Sequence, residues 1–187
     1  MKKNKLILST VLIFQTVIWG TYSFASGPNW YAKGLQAESA GDSYLAIEQY
    51  KKSAANGLSD AKFALGRLYR DAYGDSAESF KWFIDAAKQG NVHAQYEVGL
   101  IYLNGTAAVL PDRKHAKNWF VSAASKGNHG NAAYELSRLS STNEDALKWL
   151  RLAAEQGMIE AMQALGDAYS KGMYGVSLDE TKGQAWL

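Results

Sequence analysis

One residue pattern recurs along the chain and constrains its fold more than any other feature. It is a small residue, an aromatic pair, an alanine pair and a glycine, seen at Ala116, Trp119, Phe120, Ala123, Ala124 and Gly127. These spacings place all six residues on one face of an α-helix. Four of the five tryptophans after residue 25 occupy the same position in copies of this pattern. The chain is therefore a repeat array.

A second pattern precedes each copy of the first. Its segments start at Ala61, Ala94 and Ala161, with Leu or Val, then Gly, then Tyr following at helical spacing, and Ala132 starts a degenerate copy. We name this segment helix A and the first pattern helix B. A glycine inside a helix costs about 1 kcal/mol in helix propensity. This cost is tolerable where helix B crosses helix A, because the crossing requires a position without a side chain. The glycine that closes helix B is expected to end it in a left-handed conformation.

The paired patterns resemble the Sel-one-like repeat family, a branch of the tetratricopeptide-like superfamily. The last repeat follows the family pattern closely, at Tyr169, Gly172, Gly175, Val176, Asp179, Lys182 and Trp186. The resemblance covers nearly all of the chain after residue 28. It implies an all-α fold, a right-handed α-solenoid of about five antiparallel helix pairs whose last repeat is incomplete.

Turn and capping residues predict the helix boundaries. Residues with the spacing of an N-terminal cap precede three B helices: Asp75 with Glu78, Thr142 with Asp145, and Ser177 with Glu180. Ser59 is expected to cap helix A of the second repeat. A longer loop is expected at residues 105–111 of the third repeat.

Residues 1–25 have the features of a secretory signal peptide rather than of the fold. Lys2, Lys3 and Lys5 precede a short apolar run, and small residues stand before a predicted cleavage site after Ala25. The run is shorter than the roughly 20 apolar residues of a membrane span, although a retained anchor is the alternative. Residues 26–187 are then a single solenoid domain, periplasmic or secreted, with no membrane attachment after cleavage.

Charge and chemistry exclude several classes of function. Removal of the three N-terminal lysines leaves 17 basic and 18 acidic side chains, a formal net charge of −1, so no basic field for nucleic acid is expected. No cysteine is present. The three histidines, His93, His115 and His129, show no partner at acid–base or metal-ligand spacing. We therefore predict no catalytic residues, no metal and no cofactor.

The remaining candidate is a binding surface formed by the A helices, which line the concave face in tetratricopeptide-type arrays. Its outward positions hold an aromatic row with flanking arginines, side chains that dominate binding interfaces. The predicted partner-binding residues are Phe63, Arg67, Arg70, Tyr96, Leu100, Leu103, Tyr134, Arg138, Gln163 and Asp167. The alternative is that Phe63, Tyr96 and Tyr134 only pack between adjacent helices.

The sequence thus predicts a non-catalytic, exported module that binds another protein as an adaptor or regulator. The resemblance also implies two alternatives: an immunity protein that neutralises a secreted antibacterial toxin such as a phospholipase, and a cell-wall or β-lactam hydrolase. The unfinished last helix, with Trp186 and Leu187, predicts possible self-association through the C-terminal edge; a frayed end is the competing interpretation.

Cleavage after Ala25 is directly testable. We expect N-terminal sequencing of the exported protein to begin Ser26-Gly27-Pro28, because the small residues before this bond suit the signal peptidase. Intact mass spectrometry of the envelope fraction measures the same quantity. An exported protein that still starts at Met1 would instead support a retained anchor.

Overall fold

The computed structural model describes residues 29–187, so the predicted signal peptide lies outside the described residues. These residues form ten α-helices. Their bounds are α1 Trp30–Ser39, α2 Ser43–Ala55, α3 Ser59–Asp71, α4 Ser76–Lys88, α5 Val92–Asn104, α6 Arg113–Gly127, α7 Gly130–Leu139, α8 Asn143–Glu155, α9 Ile159–Lys171 and α10 Glu180–Ala185. The odd-numbered helices are the predicted A helices and the even-numbered ones the B helices. The prediction of an all-α fold built from sequential helix pairs is confirmed.

The described residues divide into two compact units, one that ends at residue 53 and one that covers residues 54–187. In the first unit, α1 packs on α2 through Tyr50, whose ring is fully buried. Its hydroxyl donates a hydrogen bond of 2.8 Å to Oε2 of Glu38. The ring also lies 5.6 Å from that of Tyr31, between ring centroids. One aromatic side chain therefore organises this unit.

In the second unit, every helix packs against the next one along the chain, from α3 to α10. Small residues make this possible, because the alanines of both patterns are buried and let backbones approach closely. One hydrophobic cluster lies between α4 and α5, and a larger one extends from α6 through α9. The half-buried indole of Trp119 packs against the cluster of the preceding repeat.

The mid-helix glycine of helix A is the point where the aromatic residue of helix B crosses. A Cβ on Gly66 would lie 2.5 Å from Cδ1 of Phe83, and one on Gly99 would lie 2.5 Å from Cε1 of Phe120. Both rings are fully buried. The expectation that helix B crosses where helix A has no side chain is confirmed. The buried ring belongs to the residue after the tryptophan.

An oxygen-bearing side chain at one repeat position caps every B helix. Asp42, Asp75, Asp112, Thr142 and Asp179 each accept a hydrogen bond from a backbone N–H in the first turn, at 2.9–3.1 Å. This satisfies a donor that the helix itself leaves free. The predicted caps at Asp75 and Thr142 are confirmed.

Three local predictions were wrong. Ser59 is the first residue of α3, and the cap position is Leu58, which makes no side-chain hydrogen bond. The last helix is capped by Asp179 and not by Ser177. At the end of α6 the left-handed residue is Asn128, with φ of 54°. Gly127 is small for another reason, since a Cβ there would lie 2.8 Å from Cβ of Val92.

The contact between Gly66 and Phe83 gives a stability prediction. We expect Gly66→Ala to lower the free energy of unfolding by about 1–3 kcal/mol, because the added methyl overpacks a filled space. Urea unfolding followed by circular dichroism measures this loss.

The matched control is the double variant Gly66→Ala, Phe83→Leu, with Phe83→Leu alone as its reference. Removing the ring makes room for the methyl, so the double variant should lose less stability than the sum of the single changes. The fourth repeat already combines a residue bearing a Cβ, Ser137, with Leu150 at the ring position. Strict additivity of the two losses would contradict the proposed clash.

Candidate functional site

The predicted partner-binding residues divide into two groups by exposure. Six are partly buried: Phe63, Arg67, Tyr96, Leu100, Leu103 and Tyr134. Four are exposed: Arg70, Arg138, Gln163 and Asp167. All ten lie on α3, α5, α7 and α9, and we call the surface they share the helix-A face.

The start of α5 is tied to the start of α3. Asn91 is the N-cap of α5 and accepts a 2.8 Å hydrogen bond from the backbone N–H of Ala94. Its amide nitrogen donates to Oδ1 of Asp60 at 2.7 Å. One buried side chain therefore both begins a helix and links two repeats.

Arg70 makes the second link between α3 and α5. Its Nη1 donates to Oε2 of Glu97 at 2.7 Å and its Nε to Oδ1 of Asp71 at 2.8 Å. The guanidinium also lies 5.4 Å from the centre of the Phe83 ring. The hydrogen bond to Asp71 is the largest of the effects that raise the pKa of Arg70. Although it is held at three points, 42% of the side chain remains exposed.

A row of rings continues the connection from α3 to α7. The Phe63 ring lies 5.8 Å from the His93 ring, and His93 lies 5.4 Å from His129. The His129 ring is stacked on Tyr96 at 4.6 Å between centroids. These contacts join three successive A helices at their N-terminal halves.

The aromatic row also packs inward onto the B helices. Phe63 contacts the Phe83 ring at 5.7 Å and Tyr96 contacts Phe120 at 5.8 Å. Burial is the main effect that raises the pKa of Tyr96, and the nearby carboxylates of Glu135 and Glu97 add to it. These rings therefore serve packing, as one of the two alternatives expected, while retaining some exposed surface.

The second exposed arginine lies on α7. Nη1 of Arg138 donates to both oxygens of Glu135, at 3.0 and 3.1 Å, and 63% of the side chain is exposed. On α9, Lys171 pairs with Asp167 at 2.9 Å. Positive and negative groups alternate along the helix-A face, so it has no single-sign field.

Glu97 and Glu135 are members of this surface that the sequence analysis missed. They occupy the same repeat position, two residues before Gly99 and Ser137, where α3 and α9 have alanine. The spacing of Glu135 from Arg138 on the same helix was readable. The pairing of Glu97 with Arg70 was not, because it depends on how two repeats stack.

A cleft of about 500 Å³ lies in the first unit, between α1 and α2. Its lining residues are Trp30, Lys33, Gln36, Ala37, Ala40, Asp42, Leu45 and Gln49. Gln49 stands where later repeats have tryptophan, and its Oε1 is buried without a hydrogen-bond partner. This polar residue distinguishes the first described repeat from the later ones.

The prediction that no histidine has a partner at acid–base spacing was wrong for one of the three. Nδ1 of His115 lies 2.6 Å from Oδ2 of Asp112, three residues earlier. The other oxygen of Asp112 accepts the backbone N–H groups of Lys114 and His115. These bonds lower the pKa of Asp112, the backbone N–H of His115 having the largest effect. Asp112 and His115 lie at the start of α6, where Asp112 is the N-cap and an aspartate is a preferred residue.

Residues 29–187 lack the features of two other kinds of site. Within them, no group of three or more His, Cys, Asp or Glu side chains is arranged to hold a metal ion. None of their helices is long and apolar enough to cross a membrane. The candidate site is therefore the helix-A face.

Comparison with known proteins gives a family and a fold. The family model of the Sel1 repeat matches residues 59–91, 92–128, 141–158 and 159–187. The crystal structure of a Sel1 repeat protein from Oxalobacter formigenes superposes with a TM-score of 0.74 at 26% identity, covering 86% of this chain and 66% of that one. A protective antigen of uropathogenic Escherichia coli, which displays an SLR fold, has a TM-score of 0.67 at 30% identity, covering 76% and 32%.

Similar curated proteins are named as regulators. An exopolysaccharide production negative regulator of Rhizobium leguminosarum bv. viciae is 27% identical over 173 residues, covering 80% of this chain and 65% of the relative. One from Rhizobium meliloti is 29% identical over 158 residues, covering 72% and 58%. The chain thus spans less than two thirds of the length of the curated relatives it matches. The Sel1 repeat model matches well over half of the chain, and the chain belongs to the Sel1 repeat family.

Proposed function

We propose that this chain is an exported, non-catalytic interaction module that binds a partner protein through the helix-A face and acts as an adaptor or regulator. The observation that carries the proposal is the ordering of that face before any partner is present. Arg70 is held by Asp71, Glu97 and the Phe83 ring, yet a large part of it stays exposed. A side chain fixed in advance loses less entropy on binding.

The residue types of the face suit protein recognition. Arginine and aromatic residues contribute most binding energy in protein interfaces, and here partly exposed rings lie between Arg70 and Arg138 along three successive helices. The alternation of charge favours a partner that is recognised by matched pairs of polar groups rather than by net charge.

Family membership and relatives agree with this role. The matched relatives carry names of regulators rather than of enzymes. Export is proposed from the basic start, the apolar run and the small residues before Ser26. The partner is then a protein of the periplasm or of the cell exterior.

The test compares two pairs of substitutions on the same chain. Partners are first captured with the protein expressed with its own signal in its native host, and each is then purified for binding measurements. We expect Arg70→Ala with Arg138→Ala to weaken binding at least tenfold, because both arginines are exposed and pre-ordered on the proposed face.

The matched control is Lys81→Ala with Lys148→Ala. Both lysines are exposed and lie on the B helices α4 and α8, so this pair removes the same charge from the other side of each repeat. Equal loss of affinity in both pairs, or none in the arginine pair, would contradict the assignment of the face. A single captured partner that is toxic in the periplasm without this chain would instead identify an immunity protein.

A further inference from the structure

Two histidines meet where the third and fourth repeats join on the helix-A face. His93 lies in the first turn of α5, and His129 is the residue immediately before α7. Their rings are 5.4 Å apart and nearly perpendicular, at 75°. The contact thus brings two imidazole rings to the same joint between α5 and α7.

His129 caps α7 with its ring. Its Nδ1 accepts the backbone N–H of Ala132 at 3.4 Å, so the neutral ring carries its proton on Nε2. Protonation would occur on Nδ1 and would replace the acceptor of this hydrogen bond by a donor. It would also place a positive charge at the N-terminus of a helix, the end at which the helix dipole disfavours cations.

The surroundings of His129 oppose its protonation as well. The residue is partly buried at the N-terminus of α7. Burial is the main effect that lowers the pKa of His129, and the neighbouring His93 lowers it further.

The carboxylates on this side of the joint already have partners. Asp60 accepts from Asn91, Glu97 from Arg70, and Glu135 from Arg138. The three A helices joined at the pair carry these charged side chains: Asp60, Lys62, Arg67, Arg70 and Asp71 on α3, Glu97 on α5, and Glu135 and Arg138 on α7. Asp85 is paired with Lys62 at 2.6 Å.

We propose that His93 and His129 form an acid-sensitive joint between α5 and α7. Protonation of His129 breaks the cap of α7 and places a positive charge against the ring of His93. The stacked Tyr96 then loses one of the two rings that hold it, and the helix-A face loosens between the third and fourth repeats. The joint exists whether or not that face binds a partner.

The direction of the pH dependence follows from linkage. A histidine in the unfolded chain has a pKa of about 6.5, and the folded value of His129 is lower. At pH values well above 6.5, neither the folded nor the unfolded chain binds this proton. As the pH falls below about 6.5, the unfolded chain binds it first, so the folded state loses stability until the pH passes the folded pKa. The folding equilibrium constant falls by up to tenfold per pH unit in this window.

The experiment is a proton NMR titration of the imidazole resonances of the full chain, combined with urea unfolding at pH 7.5 and pH 5.5. We expect His129 to titrate below pH 6.5, because burial and the neighbouring His93 lower its pKa. In His93→Asn the midpoint of His129 should rise, because the neighbouring positive charge is gone.

The variant His129→Asn tests whether His129 causes part of the loss of folding stability at low pH. Asparagine is a preferred N-cap and does not titrate, so this variant should fold and lose less stability between pH 7.5 and pH 5.5 than the native chain. His115→Asn is the matched control, since it removes one histidine and leaves the joint intact; this variant should lose more stability between pH 7.5 and pH 5.5 than His129→Asn does. Titration of His129 at or above pH 6.5 would overturn the proposal. So would a stability loss between pH 7.5 and pH 5.5 that is as large in His129→Asn as in the native chain.

Discussion

The close approach of a glycine in helix A to a buried ring in helix B is the interaction on which the rest of the structure depends. Gly34 faces Tyr50, Gly66 faces Phe83 and Gly99 faces Phe120. The ring fills the space that a side chain would occupy, and the alanines beside it let the backbones approach. The propensity cost of each glycine, about 1 kcal/mol, is offset by burying an aromatic side chain, worth about 1.5–3 kcal/mol.

Once the helix pairs are fixed in this way, the A helices lie side by side and their remaining side chains can contact each other. The links between neighbouring repeats differ in chemistry: an amide to a carboxylate at Asn91, an ion pair at Arg70, and stacked rings at His129. None of these is a large apolar contact. The surface is thus ordered by polar groups that water and solutes reach, while the stability of each repeat comes from the core beneath it.

Much of the fold was predictable because repetition multiplies a weak local signal. The six-residue pattern of helix B appears several times, so its period and the positions of Ala116 and Ala146 were secure. Contacts between repeats were less accessible. The stacking of His129 on Tyr96 and the pairing of Glu97 with Arg70 depend on how the repeats stack, which helical periodicity does not contain. Trp119 stands at the most regular position of the pattern and is half-buried, whereas the more variable residue after it fills the core.

Three A–B loops are not all of the same length, but the backbone hydrogen bonds that close them join the same repeat positions. The backbone N–H of Asp75 donates to the carbonyl of Tyr69, that of Asp112 to Tyr102 and that of Asp179 to Tyr169. Five residues lie between the first of these partners and nine between each of the others, yet the same repeat positions are joined. The loops are therefore places where segments can be lengthened, or a label carried, without moving the helices. Leu110, 86% exposed in the longer loop of the third repeat, is such an attachment point.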